Sequence, residues 1–429
     1  MINLIILDCH DLGQHMGTYG WKTVPTHNLD RLASQGVRFE NHFCTAPQCS
    51  PSRSGIYTGR YPHANGMFGL AHAPFNWRFN PGELHLAQLL RQAGYRTALV
   101  GIQHVTAHQA ESVQALGFDE VTLTQNPNEV AQNVRKYLES ELKEPFFLKV
   151  GFEYPHRDDQ GRFKQAPPDR SLGVEIPSYL PVCPQAQEEL AELQGVIREM
   201  DLAAGKILSC IKDAGLLENA WIIFTTDHGI AMPLAKCTLY DPGIETALIM
   251  YSEPLGLLGG KVYEQLINNV DLVPTILDML GIEEPDNLQG QSFAPLLRNM
   301  PYQEREEVFA EKTFHTAYEP QRAIRTKRFK LIWNLEAGII NVPGDVMRSP
   351  IFPEVILSVV KERPHFELYD LLNDPNERTN LVNRPEYEDI FNDLRQRLLN
   401  WMKETQDPLL DGPIASPFYE FGREQLNAK

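Results

Sequence analysis

The chain has 429 residues, 42% of them hydrophobic, and a formal net charge of −17. That length and apolar content suffice for a large core in one big domain plus a smaller one. The acidity argues against partners gripped by broad basic surface, such as nucleic acid or an anionic membrane, so any anionic substrate must be met by a few local cations. The six cysteines (Cys9, Cys44, Cys49, Cys183, Cys210 and Cys237) are scattered without a CxxC pair, which indicates neither a zinc ribbon nor a disulfide scaffold. Met1 runs directly into INLIILD (2–8), an apolar stretch of strand length, too short for a signal peptide or a membrane span, so the chain reads as cytoplasmic. THNLDRLASQG follows as a helix from a capping Thr26 to Gly36, and CSPSRSGIYTG begins another at Cys49, with Pro51 near its first position. GELHLAQLLRQAG is a helix stopping at Gly94, YRTALVG (95–101) and PFFLKVGF (145–152) are strands, a long helix runs from Gln185 to Ala214, and WIIFTTD (221–227) is a strand. Between 288 and 306 the rhythm changes. RAIRTKRFKLIWN (322–334) is strand-like, a loop-rich stretch reaches about Pro364, and 387–404 is an amphipathic helix. The alternation predicts an α/β fold with a large, mostly parallel sheet sandwiched by helices over 1–315, and a smaller C-terminal α+β domain over 316–429.

Polar residues sit just past each clear strand: Asp8, His104, His156, and the pair Asp227-His228. Singly, an aspartate there is an ordinary helix cap and a histidine an ordinary core or surface residue. Together they should converge on one rim, because open parallel sheets bind ligands beyond the carboxyl ends of their strands. Cys49 belongs with them, since a helix start beside Arg53 suits an anion; the alternative is a buried apolar thiol.

The stretch C-x-P-S-R-x-x-x-x-T-G-R from Cys49 resembles the signature of the sulfatase family, in which the cysteine is oxidised after synthesis to formylglycine. LIILD with DLG, FFLKVGFEYPH, FTTDHG and AKCTLYDPG look like further family segments. NGMFGL, DAGLLENAWIIFTTDHGIAMP and FELYDLLNDPNERTNLV are similar to the N-sulfoglucosamine sulfohydrolase branch. The resemblance implies an alkaline-phosphatase-like fold and a hydrolase that removes sulfate from a small sulfated or N-sulfated sugar. It implies formylglycine at 49 as nucleophile, made by a maturase. Asp8, Asp227 and His228 with residue 49 would hold one divalent metal, calcium or, because His228 offers nitrogen, manganese. Arg53 would orient the nucleophile, His104 act as its base, and His156 and Lys236 serve the sulfate and the leaving group. Two positions depart from the family. Cys9 stands where a second aspartate is usual, and Asp11 could refill the metal shell; Ile102 stands where a lysine is usual, and Arg157, His315 or Arg322 could supply the missing charge. Glu311, His315, Tyr318 and Arg322 are candidates to bind sugar hydroxyls between the domains. The readings held open are a phosphonate monoester or phosphodiester hydrolase of the same superfamily and a non-catalytic binding protein.

Overall fold

Apolar strands buried on both faces need a layer of helices on each side, and β1 (Asn3–Cys9), buried throughout, is such a strand. It lies near the middle of an eight-stranded sheet with β2 (Val37–Phe43), β3 (Arg96–Gly101), β4 (Glu120–Thr122), β5 (Phe146–Phe152), β6 (Ala220–Thr226), β7 (Leu248–Tyr251) and β8 (Lys261–Asn268), in the order β4-β3-β5-β1-β6-β7-β2-β8. All pairings are parallel except those of β7. The computed structural model describes residues 1–141, 143–336, 338, 342–359 and 363–427. The four strands predicted from sequence are β3, β5, β1 and β6, contiguous in the sheet, so their carboxyl ends form one rim. Alternation splits β1 between two cores. Ile5, Leu7 and Cys9 pack with the long helix Pro184–Asp213 and with α1 (His27–Gln35), while Leu4 and Ile6 face the layer that contains Ile56 and Tyr57 of α2 (Cys49–Thr58). Among the described residues no helix is long and apolar enough to cross a membrane.

A second, antiparallel sheet has the order β12-β11-β10-β9, with β9 (Glu307–Phe314), β10 (Tyr318–Thr326), β11 (Phe329–Asn334) and β12 (Phe366–Asp370). The helix Glu388–Glu404 covers it, setting Leu394, Leu398 and Trp401 against Phe309, Ile324, Leu331 and Leu368. The expected division at 315/316 falls inside the β9–β10 hairpin. β9 pairs with β10 from Glu307 to Lys312 and, past a bulge, again at Phe314, so the second sheet starts before that division. The strand-like stretch 322–334 is two strands, β10 and β11, joined by a tight turn.

Candidate active site

β1 ends at Cys9, so the first residues past it are His10 and Asp11. They meet Asp227 and His228 past β6, His104 past β3, Glu153 and His156 past β5, and the first turn of α2. Asp11 (φ 47°) and His104 (φ 61°) hold left-handed backbone, a conformation costly for residues with a Cβ that persists where the surroundings over-determine it. At the end of β3, Gly101 (φ +102°) is required: a Cβ there would lie 2.0 Å from the Gly151 carbonyl oxygen.

Five donor atoms, one each from His10, Asp11, Cys49, Asp227 and His228, lie within 4.8 Å of one another, all buried. His10 Nδ1 is 3.1 Å from Asp227 Oδ2, and His228 Nε2 is 3.1 Å from Asp11 Oδ1 and 3.5 Å from Cys49 Sγ. Asp11 Oδ1 and both nitrogens of His10 are buried without a hydrogen-bond partner among the described residues. Two close carboxylates and two imidazoles, with Asp11 Oδ1 and a His10 nitrogen orphaned among them, fit a divalent cation, which would take one nitrogen from each ring and one oxygen from each carboxylate.

Asp8, expected as a metal ligand, stands outside this cluster. It lies inside β1 on the face of Leu4 and Ile6, so its carboxylate turns toward α2. There Oδ1 is 2.8 Å from Arg53 Nη1 and 3.1 Å from Lys149 Nζ, and Oδ2 accepts from the Tyr57 hydroxyl. Asp11, the suggested replacement, stands in the donor cluster instead, and His10 joins it. Lys149 also donates to the Ile102 carbonyl. Its charge is thus answered by Asp8 and does not stand in for the lysine missing at 102.

Cys49 is the first residue of α2, with Gln48 extended at the cap position, so its side chain sits at the positive end of the helix. Burial raises its thiol, but the Lys236 ammonium and the His10 ring outweigh burial and bring it down to about 5. Lys236 Nζ lies 2.8 Å from Asp11 Oδ2, 2.9 Å from Asp345 Oδ2 and 3.3 Å from His156 Nε2. Burial works against its charge, and Asp11 and Asp345 overcome this to hold its pKa well above the usual lysine value. Arg53 is fully buried, with Nε 3.2 Å from Asp227 Oδ2. Glu153, which the sequence reading passed over, sits 3.3 Å from His104 Nε2. His10 and Asp345 were passed over too. Counting from the true end of β1 would have found His10, but no local pattern marks Asp345, which arrives on the short helix Gly344–Met347 from far along the chain.

Residues 3–282 match the sulfatase family, and residues 231–338 match the family described as N-sulphoglucosamine sulphohydrolase, C-terminal. The chain belongs to the sulfatase family. Human N-sulphoglucosamine sulphohydrolase is 30% identical over 96% of this sulfatase and 92% of its own length. A protein solved in complex with its substrate D-glucosamine-2-N,6-O-disulfate shares the fold, with a TM-score of 0.71 at 20% identity over 95% of this chain and 98% of that one. The phosphonate monoester hydrolase of Agrobacterium radiobacter does likewise, with a TM-score of 0.71 at 20% identity over 96% and 97% of the two chains.

In this sulfatase the expected sugar-binding residues separate. Glu311 and Arg322 are buried in an ion network. Glu311 accepts from the His63 backbone at 2.7 Å and faces His63 Nδ1 at 2.6 Å, while Arg322 lies 3.2 Å from Glu311 and holds Asp407 with two nitrogens. This corrects their assignment: Arg322 is fully buried and all three of its nitrogens donate inside the protein, to Asp407, the carbonyls of Lys312 and Gln321, and the Thr313 hydroxyl. Tyr318 accepts from the Ile414 N–H at 3.3 Å. Arg157, another suggested cation, is buried against Glu189 at 2.6 Å and the Ala231 carbonyl. His315 is buried, and burial, then the Lys236 charge, presses its pKa down to about 3. The part of the site open to solvent is a rim formed by His104, Glu153, His156 and Asp345, whose side chains are 18%, 18%, 27% and 19% exposed.

Proposed function

We propose that this sulfatase hydrolyses the sulfate ester or sulfamate of a small sulfated sugar, with formylglycine made from Cys49 as nucleophile and one divalent cation held by His10, Asp11, Asp227, His228 and residue 49. The carrying observation is the buried meeting of the Cys49 side chain, the two Asp–His pairs and Lys236 at one helix start. Hydrated formylglycine supplies one hydroxyl to attack sulfur and a second through which sulfate is later expelled. A bound cation supplies charge for the sulfate oxygens.

The chain's own groups cover the remaining steps. Arg53, gripped by Asp8 and Asp227, cannot swing away and fixes the geometry of residue 49. The His104 Nε2–H donates to Glu153, which leaves Nδ1, buried and unpartnered among the described residues, as the lone pair that accepts the nucleophile's proton. The His156 Nδ1–H donates to the Arg157 carbonyl at 2.7 Å, so Nε2 faces Lys236 at the rim, where a departing sugar oxygen or nitrogen must be protonated. Lys236, held cationic, neutralises the sulfate.

A small substrate is supported by the state of the one basic cluster, RTKRFK. Arg325 and Lys330 pair with Asp241 at 2.9 and 2.6 Å, Lys327 with Glu304 at 2.6 Å, and Arg328 with Asp370 at 2.8 Å. Arg325 and Lys330 are buried with their carboxylate, and the half-exposed Lys327 and Arg328 each have a carboxylate partner, so the cluster presents little unpaired charge to a polyanion. The match of residues 231–338 supports a sulfated amino sugar. The Asp227-His228 pair and the fold shared with a phosphonate monoester hydrolase favour phosphonates as the second reading. The test takes protein whose aldehyde at 49 is verified by peptide mass and compares an aryl sulfate, N-sulfated glucosamine and an aryl phosphonate. Turnover of sulfate ester or sulfamate is expected. Turnover of the phosphonate alone would replace the reading, and an aldehyde-bearing protein inert on all three would make it a binding protein.

A further inference from the structure

We infer that His10, Asp11, Asp227 and His228 form a site for a first-row transition cation of the zinc, cobalt or manganese class, and that it discriminates against calcium; this rests on the reading above and names the metal of that same site. Calcium takes six to eight oxygen ligands. Asp227 Oδ1 already accepts the backbone N–H groups of Asp11 (3.0 Å) and His228 (2.8 Å), and Asp11 Oδ2 accepts from Lys236 (2.8 Å). The carboxylate oxygens that face the centre are Asp11 Oδ1 and Asp227 Oδ2, each 3.1 Å from an imidazole nitrogen, and Asp227 Oδ2 also accepts from Arg53 Nε at 3.2 Å. Asp8, the nearby carboxylate that could add a third, is held by Arg53, Lys149 and Tyr57.

The other two donors are nitrogens, and one is set up for coordination. His228 Nδ1 lies 3.0 Å from the Gly229 carbonyl, so the proton sits on Nδ1 and the Nε2 lone pair points into the cluster, the second-shell arrangement that orients metal-binding histidines. His10 brings Nδ1 to the opposite side, with neither nitrogen otherwise bonded among the described residues. Two imidazole nitrogens and two carboxylate oxygens make a compact set of four protein donors, plus residue 49. Such a set suits small cations that accept nitrogen and four or five ligands, whereas of the six to eight oxygens calcium takes it offers only two carboxylate oxygens.

The test measures bound metal rather than turnover. A Cys49→Ala protein, in which no thiolate contributes, is stripped with a chelator and titrated with cobalt(II), zinc(II), manganese(II) and calcium(II). Calorimetry and metal analysis give the stoichiometry, and the visible spectrum of the cobalt form gives the coordination. One equivalent of cobalt with the intense d–d bands of a four- or five-coordinate ion, not displaced by excess calcium, is expected. Replacing both imidazoles by oxygen donors, His10→Asp with His228→Asn, should weaken cobalt binding by at least on the order of 10–100-fold, the scale lost with even a second-shell partner. One equivalent of calcium that zinc and cobalt fail to displace from Cys49→Ala would overturn the inference, and that measurement needs no histidine variant to fold. Calcium selectivity in an active sulfatase defeats only this inference. Cobalt held by His10 and His228 in a protein that, once matured, hydrolyses no sulfate defeats only the proposed function.

Discussion

Asp8→Asn separates the two possible roles of a buried carboxylate at the end of β1. The wild-type side chain meets Arg53 at 2.8 Å, Lys149 at 3.1 Å and the Tyr57 hydroxyl, all out of contact with water. Removing one member of a buried ion pair typically costs about 3–5 kcal/mol, because the partner's charge is left uncompensated. Two features put this case at the lower end, about 3 kcal/mol. Arg53 keeps Asp227 at 3.2 Å, and Lys149, which burial already holds down to about 8 despite Asp8 beside it, can give up its proton once the carboxylate is gone. The expected result is a lower melting temperature with unchanged metal content per folded chain, measured by differential scanning fluorimetry and by elemental analysis of the same sample. Adding Lys149→Met should return part of the loss by removing the orphaned cation. An Asp8→Asn protein that melts like wild type but carries no metal would refute the reasoning, since Asp8 would then be a ligand and not a counterion.

Lys236→Ala should lower turnover on a sulfate substrate by about a hundredfold or more, roughly 2.7 kcal/mol, because Ile102 removes the other lysine that would share the charge; a loss below about tenfold would place the role elsewhere. In unmodified protein the Cys49 thiol should be a thiolate at neutral pH, seen as thiolate ultraviolet absorbance that disappears near pH 5, and Lys236→Met should move that midpoint upward. Stability should fall on acidification from about pH 6.5. Burial presses His42 and His85 down to about 3, so below the unfolded value of 6.5 the unfolded chain binds protons that the native state refuses. Their contribution is whole above pH 6.5 and is lost as pH falls toward 3, at about 1.4 kcal/mol per pH unit for each ring, checked by urea melts across that range. If His42→Phe leaves the acid slope unchanged, His42 is not a source of it.

The sheet was legible because four contiguous strands, β3, β5, β1 and β6, are largely apolar runs, as burial on both faces requires. β4, with three residues, and β7, with four, are too short to carry such a signal, and β2 carries polar residues along its exposed side. Within the site, Cys49, Arg53, Asp227 and His228 were legible from a local motif that keeps its spacing. Asp8 misled because an aspartate closing an apolar run looks like the strand's end, whereas the strand continues through Cys9, and the alternation that buries Ile6 carries Asp8 to the same side. Glu311 and Arg322 looked like groups for sugar hydroxyls between the domains. That they pair instead with His63 and Asp407 depends on Asp407, 85 residues beyond Arg322, folding back over the second sheet, which spacing along the chain cannot reveal.

All ten residues of α2, Cys49 through Thr58, are buried, and the segment leading into it is tied to parts of the chain made much later: the Pro47 carbonyl to the Cys237 N–H, the Thr45 carbonyl to the Glu311 N–H, and the Gln48 amide to the Phe314 carbonyl. Any enzyme that must grip this stretch to alter Cys49 therefore works against a clock. At ribosomal speeds of about 5–20 residues per second, the wait between emergence of the cysteine and arrival of the strand that locks it away is on the order of tens of seconds. A molecule untouched in that interval folds into a well-formed protein that no later encounter can convert. Specific activity would then record how synthesis was paced, and slowing the ribosome should raise it without changing a single residue.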